Sequence, residues 1–390
     1  MTQETQSTEE DLDYYFDSYA HVSIHRIMLS DKIRTVSYRE AVFRNPSLFK
    51  DKVILDVGCG TGIISLFAAK CGAKRVYAVE KSSISKYANQ IFEKNGFSDK
   101  IILIKKLMEE VDETDIPEKI DVIVSEWMGF CLLYESMLPS VIYARDKFMK
   151  TPNNSPNISK EVPITYEKIE SDKMGEKVTE NIQLSTEYSK SSEKNDDERC
   201  KTQNDCVSSN FGTMFPSRAR LYITAMEDSS YYKRKICFWD DLFGFNFRPI
   251  KEWAILEPLI ETCPEKQIIT DDSMLIEFDL NHVCVQDLSF SVPFKLNPLE
   301  QIEMHAFVVW FDVFFDGPEA TILLSTSPFE QKTHWAQTVF YLEKPIKLEE
   351  DSMIEGTFEM HPNQNNPRDQ DISIKFKIKD QEYIQYYKIR

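Results

Sequence analysis

The stretch VILDVGCGTG, residues 53–62, decides the fold because a run of buried-strand residues leads directly into glycines. Glycine is scarce in this chain, 11 in 390 residues, yet Gly58, Gly60 and Gly62 fall within five positions. The helical pattern GIISLFAAKCG follows at once. Such a junction lets the backbone approach a ligand closely, and the helix N-terminus favours negative charge.

Further strand and helix patterns alternate after this junction. RVYAVE is typical of a second strand and SSISKYANQIFEKNG of a second helix, and IILIKK and KIDVIVSE add two more strands. Alternation at this spacing predicts a parallel sheet with crossover helices. The fold class is therefore α/β, with a Rossmann-like domain in the N-terminal half.

The glycine spacing indicates the class of cofactor. It is GxGxG, whereas dinucleotide-binding domains have GxGxxG. Glu80 ends the next strand, where its carboxylate could accept hydrogen bonds from both ribose hydroxyls. A nucleoside without a pyrophosphate fits this shorter loop, and S-adenosylmethionine is the candidate. The alternative is a simple tight turn with Glu80 exposed at the surface.

The pattern changes twice along the chain. Residues 152–210 are rich in Ser, Asn, Glu and Lys, whereas the later part alternates short β-branched and aromatic runs with turns. An alternative for the polar block is a small helix at 161–188. We predict a disordered lead over 1–12, lid helices over 13–51, the cofactor domain over 52–151, a disordered insertion over 152–210, and an antiparallel β-barrel or sandwich domain over 211–390 with a helical arm at 229–253.

Composition excludes several classes of partner. Lys and Arg number 46 against 64 Asp and Glu, a formal net charge of −18, which repels nucleic acid and anionic membranes and attracts basic proteins. The eight cysteines show neither CxxC pairs nor a disulfide framework, so we expect no metal site. No apolar run approaches about 18 residues, and no signal peptide is recognisable, so we expect an intracellular protein without a membrane span.

Two glutamates follow the fourth predicted strand. In VSEWMGFCLLYESML, residues 124–138, Glu126 and Glu135 stand nine positions apart among apolar side chains. A carboxylate in such surroundings needs a partner to replace its hydration. Because a guanidinium is planar, always charged and rich in donors, it is the natural partner of a carboxylate pair. The alternative for Glu135 is that it caps a helix starting near Leu132.

These motifs together resemble the protein arginine methyltransferases, most closely the type I branch. SEWMGFCLLYESML is similar to the double-glutamate loop of that family, DVGCGTG and VYAVE to its cofactor motifs, and KTHWAQTVF to its threonine–histidine–tryptophan loop. DYYFDSYAHVSIHRIMLSDKIRT resembles its lid, and NQNNPRDQDISI its β domain. The resemblance covers the chain from about residue 12 to 390, except 152–210. It implies methylation of protein arginine by S-adenosylmethionine, giving S-adenosylhomocysteine with monomethyl- and asymmetric dimethylarginine.

The resemblance also implies roles for individual residues. Glu126 and Glu135 would clamp the substrate guanidinium, and His334, paired with Asp31, would help to remove the proton. Arg34 would bind the carboxylate of the cofactor and Glu80 its ribose. The implied cofactor-binding set is Phe16, Tyr19, His25, Arg34, Gly58, Gly60, Gly62, Glu80, Met108 and Glu109, with Tyr15 beside it; the implied substrate-binding set is Met28, Asp31, Met128, Met137 and Trp335.

Simpler interpretations stay open for several of these residues. Glu109 fits a surface glutamate, His334 fits a structural histidine, and aromatic residues at the lid spacing are usually helix core. The chain also departs from the family pattern, because the lid reads SIHRIM where GIHEEM is usual, so that Arg26 and Ile27 replace two acids. Phe130 stands where tyrosine is common.

Partners follow partly from charge and partly from the resemblance. Basic, arginine-rich proteins such as histones and RNA-binding proteins are the expected substrates. The aromatic arm predicts a homodimer, unless its rings fold back into the chain's own core. Location in the nucleus and cytoplasm is expected. The rival hypotheses are an inactive scaffold with the same fold and a methyltransferase acting on a small-molecule amine.

Overall fold

A parallel sheet forms the N-terminal part of the protein in the computed structural model, which describes residues 15–150 and 212–390. Its strands are β1 (Val53–Val57), β2 (Arg75–Val79), β3 (Ile101–Ile104), β4 (Val122–Val124) and β5 (Thr213–Phe215), in the order β3-β2-β1-β4-β5. Every residue of β1 is buried, as expected for a strand covered on both faces. The chain order reverses between β1 and β4, which is where open α/β sheets bind ligands.

Helices precede this sheet and connect its strands. They are α1 (Val22–Ser30), α2 (Lys32–Phe43), α3 (Pro46–Phe49), α4 (Ile63–Lys70), α5 (Ser85–Lys94) and α6 (Leu138–Phe148). The predicted strand–helix alternation and Rossmann-like fold are confirmed. In α2 the side chain of Asp31 caps the helix by accepting from Arg34 N–H at 3.0 Å.

One strand lies on the other side of the predicted domain boundary. Thr213–Phe215 pairs in parallel with β4 and so completes the N-terminal sheet, although the predicted β domain begins at residue 211. Because Thr213–Phe215 lies outside any long aliphatic run, its sequence carries too little pattern to reveal its partner strand. The predicted segments 1–12 and 152–210 lie outside the described residues.

The C-terminal part consists of two antiparallel sheets, as the alternating runs predict. Their strands are β6 (Arg218–Met226), β7 (Leu259–Glu261), β8 (Ser273–Asp279), β9 (Phe290–Leu296), β10 (Glu303–Asp316), β11 (Thr321–Ser325), β12 (Gln337–Lys347), β13 (Ile354–Pro362), β14 (Gln370–Ile378) and β15 (Gln381–Ile389). The first sheet runs β7-β12-β10-β6-β8 with β11 beside β10, and the second runs β15-β14-β13-β9. Phe307 of the first sheet contacts Phe294 and Phe376 of the second, ring centroids 5.7 and 5.0 Å apart.

The predicted arm leaves β6 as short helical turns that include α7 (Ser229–Tyr231) and ends in α8 (Arg248–Leu256). Its first residues pack onto the chain's own sheet: Tyr232 is buried and Tyr231 stacks on Tyr341 at 5.3 Å. The alternative that arm aromatics fold back is thus correct for these two tyrosines. Further along, Phe243 is 93% exposed and Phe245 69% exposed.

The N-terminal helices also contact the β domain directly. Asn45 is fully buried and bonds the β10–β11 turn with both ends of its amide, while Tyr38 meets Phe315 edge to face at 4.8 Å. These contacts fix the lid helices against the domain that supplies His334. None of the helices within the two described ranges is long and apolar enough to span a membrane.

Candidate active site

The glycine loop and Glu80 form one hydrogen-bonded unit at the carboxyl edge of the sheet. Glu80 accepts from Gly60 N–H through Oε2 and from Ser82 N–H through Oε1, both at 2.8 Å. Gly58 and Gly62 have φ of +73° and +83°, which other residues rarely adopt. A Cβ at Gly58 would overlap Met137 Cε, and one at Gly62 would overlap the Phe92 ring. The loop therefore requires glycine at both positions.

Asp56 lies beneath this loop and is fully buried. Its Oδ2 accepts from Ser65 Oγ at 2.6 Å, whereas its Oδ1 has no hydrogen-bond partner within the described residues. Burial raises the pKa of Asp56 to about 7, although the Ser65 hydrogen bonds act in the opposite direction. A buried acceptor under a glycine cradle, with Glu80 beside it, fits a polar nucleoside cofactor.

The lid covers this loop. His25, on α1, is buried, and its Nε2 lies 2.8 Å from the carbonyl oxygen of Tyr19, which also accepts from Ser82 Oγ at 3.5 Å. A Cβ on Gly60 would come within 3.5 Å of the His25 ring. The lid segment thus lies directly over the predicted cofactor loop, as the predicted roles of His25 and Tyr19 require.

Glu126 already holds a guanidinium. Arg34 donates to Glu126 Oε2 through Nε at 2.8 Å and through Nη2 at 2.5 Å, and both side chains are almost fully buried. Burial alone would lower the pKa of Arg34, but the Glu126 carboxylate outweighs burial and raises it. The predicted role of Arg34, which is to bind the carboxylate of the cofactor, stays a prediction. Glu126 therefore accepts two hydrogen bonds from a guanidinium of the chain itself.

Glu135 is paired with tyrosines rather than with a cation. Tyr19 donates its hydroxyl to Glu135 Oε2 at 2.6 Å, and the Tyr15 hydroxyl also bonds this carboxylate. Burial raises the pKa of Glu135; the charge of Glu126 adds to this effect, while Tyr19, Tyr15 and Arg368 oppose it. The helix-cap alternative for Glu135 is wrong, because α6 begins three residues later at Leu138.

The backbone at Glu135 is strained. Its φ is +73° and that of Ser136 is +47°, both in the left-handed region that residues with a Cβ avoid. Gln370 of the β domain donates to the carbonyl oxygen of Leu133 and to Ser136 Oγ, each at 3.1 Å. The β domain therefore holds the loop in the conformation that directs Glu135 into the site.

The histidine loop, which carries His334 and Trp335, borders the site on the side of the β domain. Asp31 Oδ2 accepts from His334 N–H and lies 2.8 Å from His334 Nδ1, which confirms that the two residues pair. Burial would raise the pKa of Asp31, but hydrogen bonds from His334 and Arg34 N–H outweigh it and lower that pKa. Trp335 is buried and donates its Nε1–H to the carbonyl oxygen of Met128 at 2.8 Å. This bond ties the histidine loop to the double-glutamate loop.

The remaining predicted residues lie around this centre. The Met28 carbonyl oxygen is 3.4 Å from Arg34 Nη1, and Phe16 meets Tyr15 edge to face at 5.1 Å. Met108 is buried, whereas Glu109 is exposed and accepts from Ser140 Oγ at 2.5 Å. The adenine-binding role of Glu109 stays a prediction.

Sequence reasoning missed two residues that support the glutamates. Tyr38 donates to the Ser125 carbonyl oxygen at 2.9 Å and so fixes the chain just before Glu126. Arg368 contacts both Glu135 and Tyr15. Arg368 is the single arginine in the polar run NQNNPRDQDISI, which resembles the β domain of the family. That isolated positive charge is the one sequence feature that could have indicated its role.

Known proteins share both halves of this arrangement. Residues 217–381 match a family model described as the arginine methyltransferase oligomerization subdomain, and residues 44–134 match one for ribosomal protein L11 methyltransferase. Protein arginine N-methyltransferase 1 of Schizosaccharomyces pombe is 40% identical over 371 residues, which are 95% of this chain and 91% of that protein. The chain belongs to the protein arginine N-methyltransferase family.

Other members of the protein arginine N-methyltransferase family are also similar to most of this chain. Protein arginine N-methyltransferase 1.1 of Arabidopsis thaliana is 39% identical over 382 residues, 97% of this chain and 82% of that protein. The solved Trypanosoma brucei PRMT1 enzyme-prozyme heterotetrameric complex with AdoHcy contains a chain with TM-score 0.77 and 35% identity, covering 96% of this chain and all of that one. The predicted family, enzyme class and cofactor, S-adenosylmethionine, are confirmed, and the oligomerization match supports self-association.

Proposed function

We propose that this arginine methyltransferase places successive methyl groups on one guanidino nitrogen, giving monomethyl- and then asymmetric dimethylarginine. The observation that supports this proposal is the pair Glu126 and Glu135 at the carboxyl edge of the sheet. Glu126 of this pair binds the guanidinium of Arg34. The same acceptor geometry suits a substrate guanidinium. S-adenosylmethionine, when bound, supplies a methyl group on positively charged sulfur.

The residues of the site align the substrate guanidinium and neutralise its charge. They do not form a covalent intermediate. Glu126 and Glu135 hold the substrate guanidinium and concentrate electron density on the nitrogen that faces the methyl group. That nitrogen would gain the methyl carbon as the carbon–sulfur bond of the cofactor breaks, leaving S-adenosylhomocysteine, and would lose a proton. We assign Glu135 as first acceptor of this proton, since its raised pKa suits the role, and the His334–Asp31 pair as the route outward.

Two methionines support the asymmetric product. Met28 lies beside Arg34, with Sδ 4.0 Å from Nη2, and Met137 packs against Gly58. Both therefore border the space between the glutamates and the glycine loop. Flexible, unbranched side chains leave room for a nitrogen that already carries one methyl group. Mass spectrometry of the product separates asymmetric from symmetric dimethylarginine, and symmetric product alone would contradict this assignment.

The deciding experiment is transfer of radiolabelled methyl groups to a glycine–arginine-rich peptide. We expect label on this peptide and none on a peptide with each arginine replaced by lysine. Label on neither peptide, with intact cofactor binding, would indicate an inactive scaffold. Transfer to a small amine but to no peptide would indicate the small-molecule alternative.

The substrates are proposed to be basic proteins such as histones and RNA-binding proteins. The net charge of −18 gives the enzyme a surface that attracts arginine-rich chains. Substrates of this kind occur in both nucleus and cytoplasm, so we propose that the enzyme works in both. Fractionation of cells expressing a tagged chain tests the location.

The working form is proposed to be a homodimer formed through the arm. Phe243, Phe245 and Trp253 of the arm are exposed by 93, 69 and 59%. On the cofactor domain an apolar pocket of about 470 Å³ opens between α1, Thr61 and α5. Because its walls include Val22, Leu29 and Tyr87, it offers apolar surface to rings from a second copy.

A further inference from the structure

Arg368 lies in the turn between β13 and β14, far in sequence from the site residues. The turn is built by asparagines: Asn363 Oδ1 accepts from the N–H groups of Asn365 and Asn366, and Asn366 Oδ1 accepts from Arg368 N–H at 3.2 Å. These bonds fix the backbone from which the Arg368 side chain extends. Its side chain is partly buried and extends away from the turn towards the double-glutamate loop.

The contacts of Arg368 with Glu135 are reciprocal. Arg368 Nη1 donates to the carbonyl oxygen of Glu135 at 2.7 Å, and Glu135 N–H donates to the carbonyl oxygen of Arg368 at 2.8 Å. The next residue, Ser136, donates its hydroxyl to the carbonyl oxygen of Pro367. Both main-chain polar groups of a residue at φ +73° are thus satisfied by a single partner. This bonding stabilises a conformation that would otherwise be unfavourable.

The flat face of the same guanidinium meets the lid. Its central carbon lies 3.7 Å from the ring centroid of Tyr15 and 5.6 Å from that of Phe16. Tyr15 is one of the two tyrosines that bond the Glu135 carboxylate. One side chain therefore touches the backbone of Glu135, the lid and, through Tyr15, the carboxylate itself.

We propose that Arg368 is a positioning residue for methyl transfer, holding Glu135 in its strained conformation and closing Tyr15 onto it. The proposal rests on the function proposed above, in which Glu135 clamps the substrate. A guanidinium suits this position because it donates at its edge while stacking on its face, which an ammonium cannot do.

The positive charge of Arg368 should also affect the pH dependence of kcat, which can be measured separately. The charged and titratable groups that face Glu135 are Tyr15 and Tyr19 from the lid, Glu126 from the same loop, and Arg368 from the β domain. Among these, Arg368 supplies positive charge, which favours the ionised carboxylate. Loss of that charge raises the pKa of Glu135 further, so the acidic limb of the kcat profile moves to higher pH.

The test compares Arg368→Met, which removes donor and charge, with Arg368→Lys, which keeps the charge. Arg218→Met is the matched control, because Arg218 also lies over a ring, Phe314 at 4.4 Å, and pairs with Asp316, but belongs to β6. We measure kcat on a glycine–arginine-rich peptide, its pH dependence, cofactor Kd and Tm.

We expect Arg368→Met to lower kcat by about 10²-fold, since small misplacements of a catalytic group have effects of that size. Its acidic limb should move to higher pH, and its cofactor Kd should change far less than kcat. Arg368→Lys should lower kcat but leave the limb in place. Arg218→Met should match the unmodified enzyme.

Three results would overturn the proposal: kcat of Arg368→Met within two-fold of the unmodified enzyme, an equal loss in Arg218→Met, or an unmoved acidic limb. A loss of kcat that only follows a fall in Tm would reduce Arg368 to a stability residue. Failure of the unmodified enzyme to methylate the peptide would instead contradict the proposed function, so the two failures are distinguishable.

Discussion

Two buried carboxylates in one site repel each other, and the protein compensates each one differently. Glu126 has a full ion pair with Arg34, whereas Glu135 has the hydroxyls of Tyr19 and Tyr15. A buried carboxylate that is paired tolerates its surroundings, but removal of one partner leaves the other uncompensated. Because burial raises the pKa of Glu135, that residue is the one suited to exchange a proton, whereas Glu126 is the one that binds a guanidinium.

Glu126→Gln should abolish detectable methylation while leaving the cofactor Kd within a few-fold. The substrate guanidinium loses one ionic partner, an effect of about 2–5 kcal/mol for a buried charge pair. Radiolabel transfer and calorimetry measure the two quantities. Glu118→Gln is the control, because Glu118 also pairs with cations, Lys74 and Arg75, but outside the site. Lost cofactor affinity with normal transfer at saturation would contradict the assignment.

Asp56 predicts a pH dependence of stability. Its folded pKa of about 7 is above the ordinary value for aspartate, so the folded protein binds an extra proton between those values. The stabilisation is complete below the unfolded pKa and is lost as the pH rises through 7. Asp56→Asn should flatten the fall in unfolding free energy between pH 5 and 7 by up to about 1.4 kcal/mol per pH unit. Urea titrations at each pH measure it, and an unchanged slope would contradict burial of a protonated Asp56.

The sequence predicted those site residues that belong to a recognisable local motif. Glu126, Glu80 and the glycines stand where strands end, and the His334–Asp31 pair followed from the resemblance. The Arg34–Glu126 bond and the contact of Arg368 with Glu135 join residues 92 and 233 positions apart. No periodicity or turn pattern connects such positions, because the contacts arise only when the domains pack together.

At the scale of elements, Asn45 is the link between the lid helices and the β domain. Its Oδ1 accepts from the N–H groups of Glu319 and Ala320, and its Nδ2 donates to the carbonyl oxygens of Ala41 and Ala320. Gly317 of the same turn leaves no room for a Cβ beside this amide. The β10–β11 turn and α2 are thereby held in one arrangement.

Asn45→Ala should destabilise the enzyme by about 2–4 kcal/mol, because several buried backbone groups lose their partners at once. Chemical denaturation measures the loss. Asn281→Ala is the control, since its Oδ1 accepts from Met214 N–H at 2.8 Å and its Nδ2 donates to Asp279 Oδ1 at 3.4 Å in an exposed turn, so a smaller loss is expected. Equal stability of the Asn45 variant and the unmodified enzyme would show that water replaces these bonds.

Element prediction from sequence succeeded where the pattern was long. The strands β1 to β4 lie in runs dominated by Val, Ile and Leu, and the arm is rich in aromatic residues, whereas β5 (Thr213–Phe215) lacks such a run and was assigned to the wrong domain. The loop after β4 was equally difficult, because four of its residues, Cys131, Leu132, Glu135 and Ser136, adopt positive φ without being glycine. Bonds from Gln370 and Arg368 of the β domain stabilise that conformation at Glu135 and Ser136.

For the whole molecule, the arm is expected to control assembly. Phe243→Ala combined with Trp253→Ala should shift the protein towards monomer in sedimentation and reduce methylation in parallel, since the dimer would brace α1 and α5 beside the cofactor loop. Leu299→Ala is the control, because Leu299 is 67% exposed but lies outside the arm. A fully active monomer would contradict the proposal.

Net charge of −18 predicts salt-sensitive substrate capture. The KM for an arginine-rich protein should rise between low salt and about 0.15 M, where the Debye length is about 8 Å, while kcat changes little. Initial rates at graded ionic strength measure both constants. A short neutral peptide with one arginine serves as the control. A flat KM for the basic protein would exclude electrostatic steering.

The contact between Arg368 and Glu135 also has a consequence for the enzyme while it is being made. A ribosome adds roughly 5–20 residues per second, so the 233 residues that separate the partners take roughly 10–50 s to follow. During that time the glycine loop can already exist, but the backbone of Glu135 lacks its bonds to Arg368. A nascent chain would therefore take up the methyl donor before it could use it, and ribosome-halted chains ending before residue 363 should bind donor without methylating. Methylation is therefore expected only from chains that extend past Arg368.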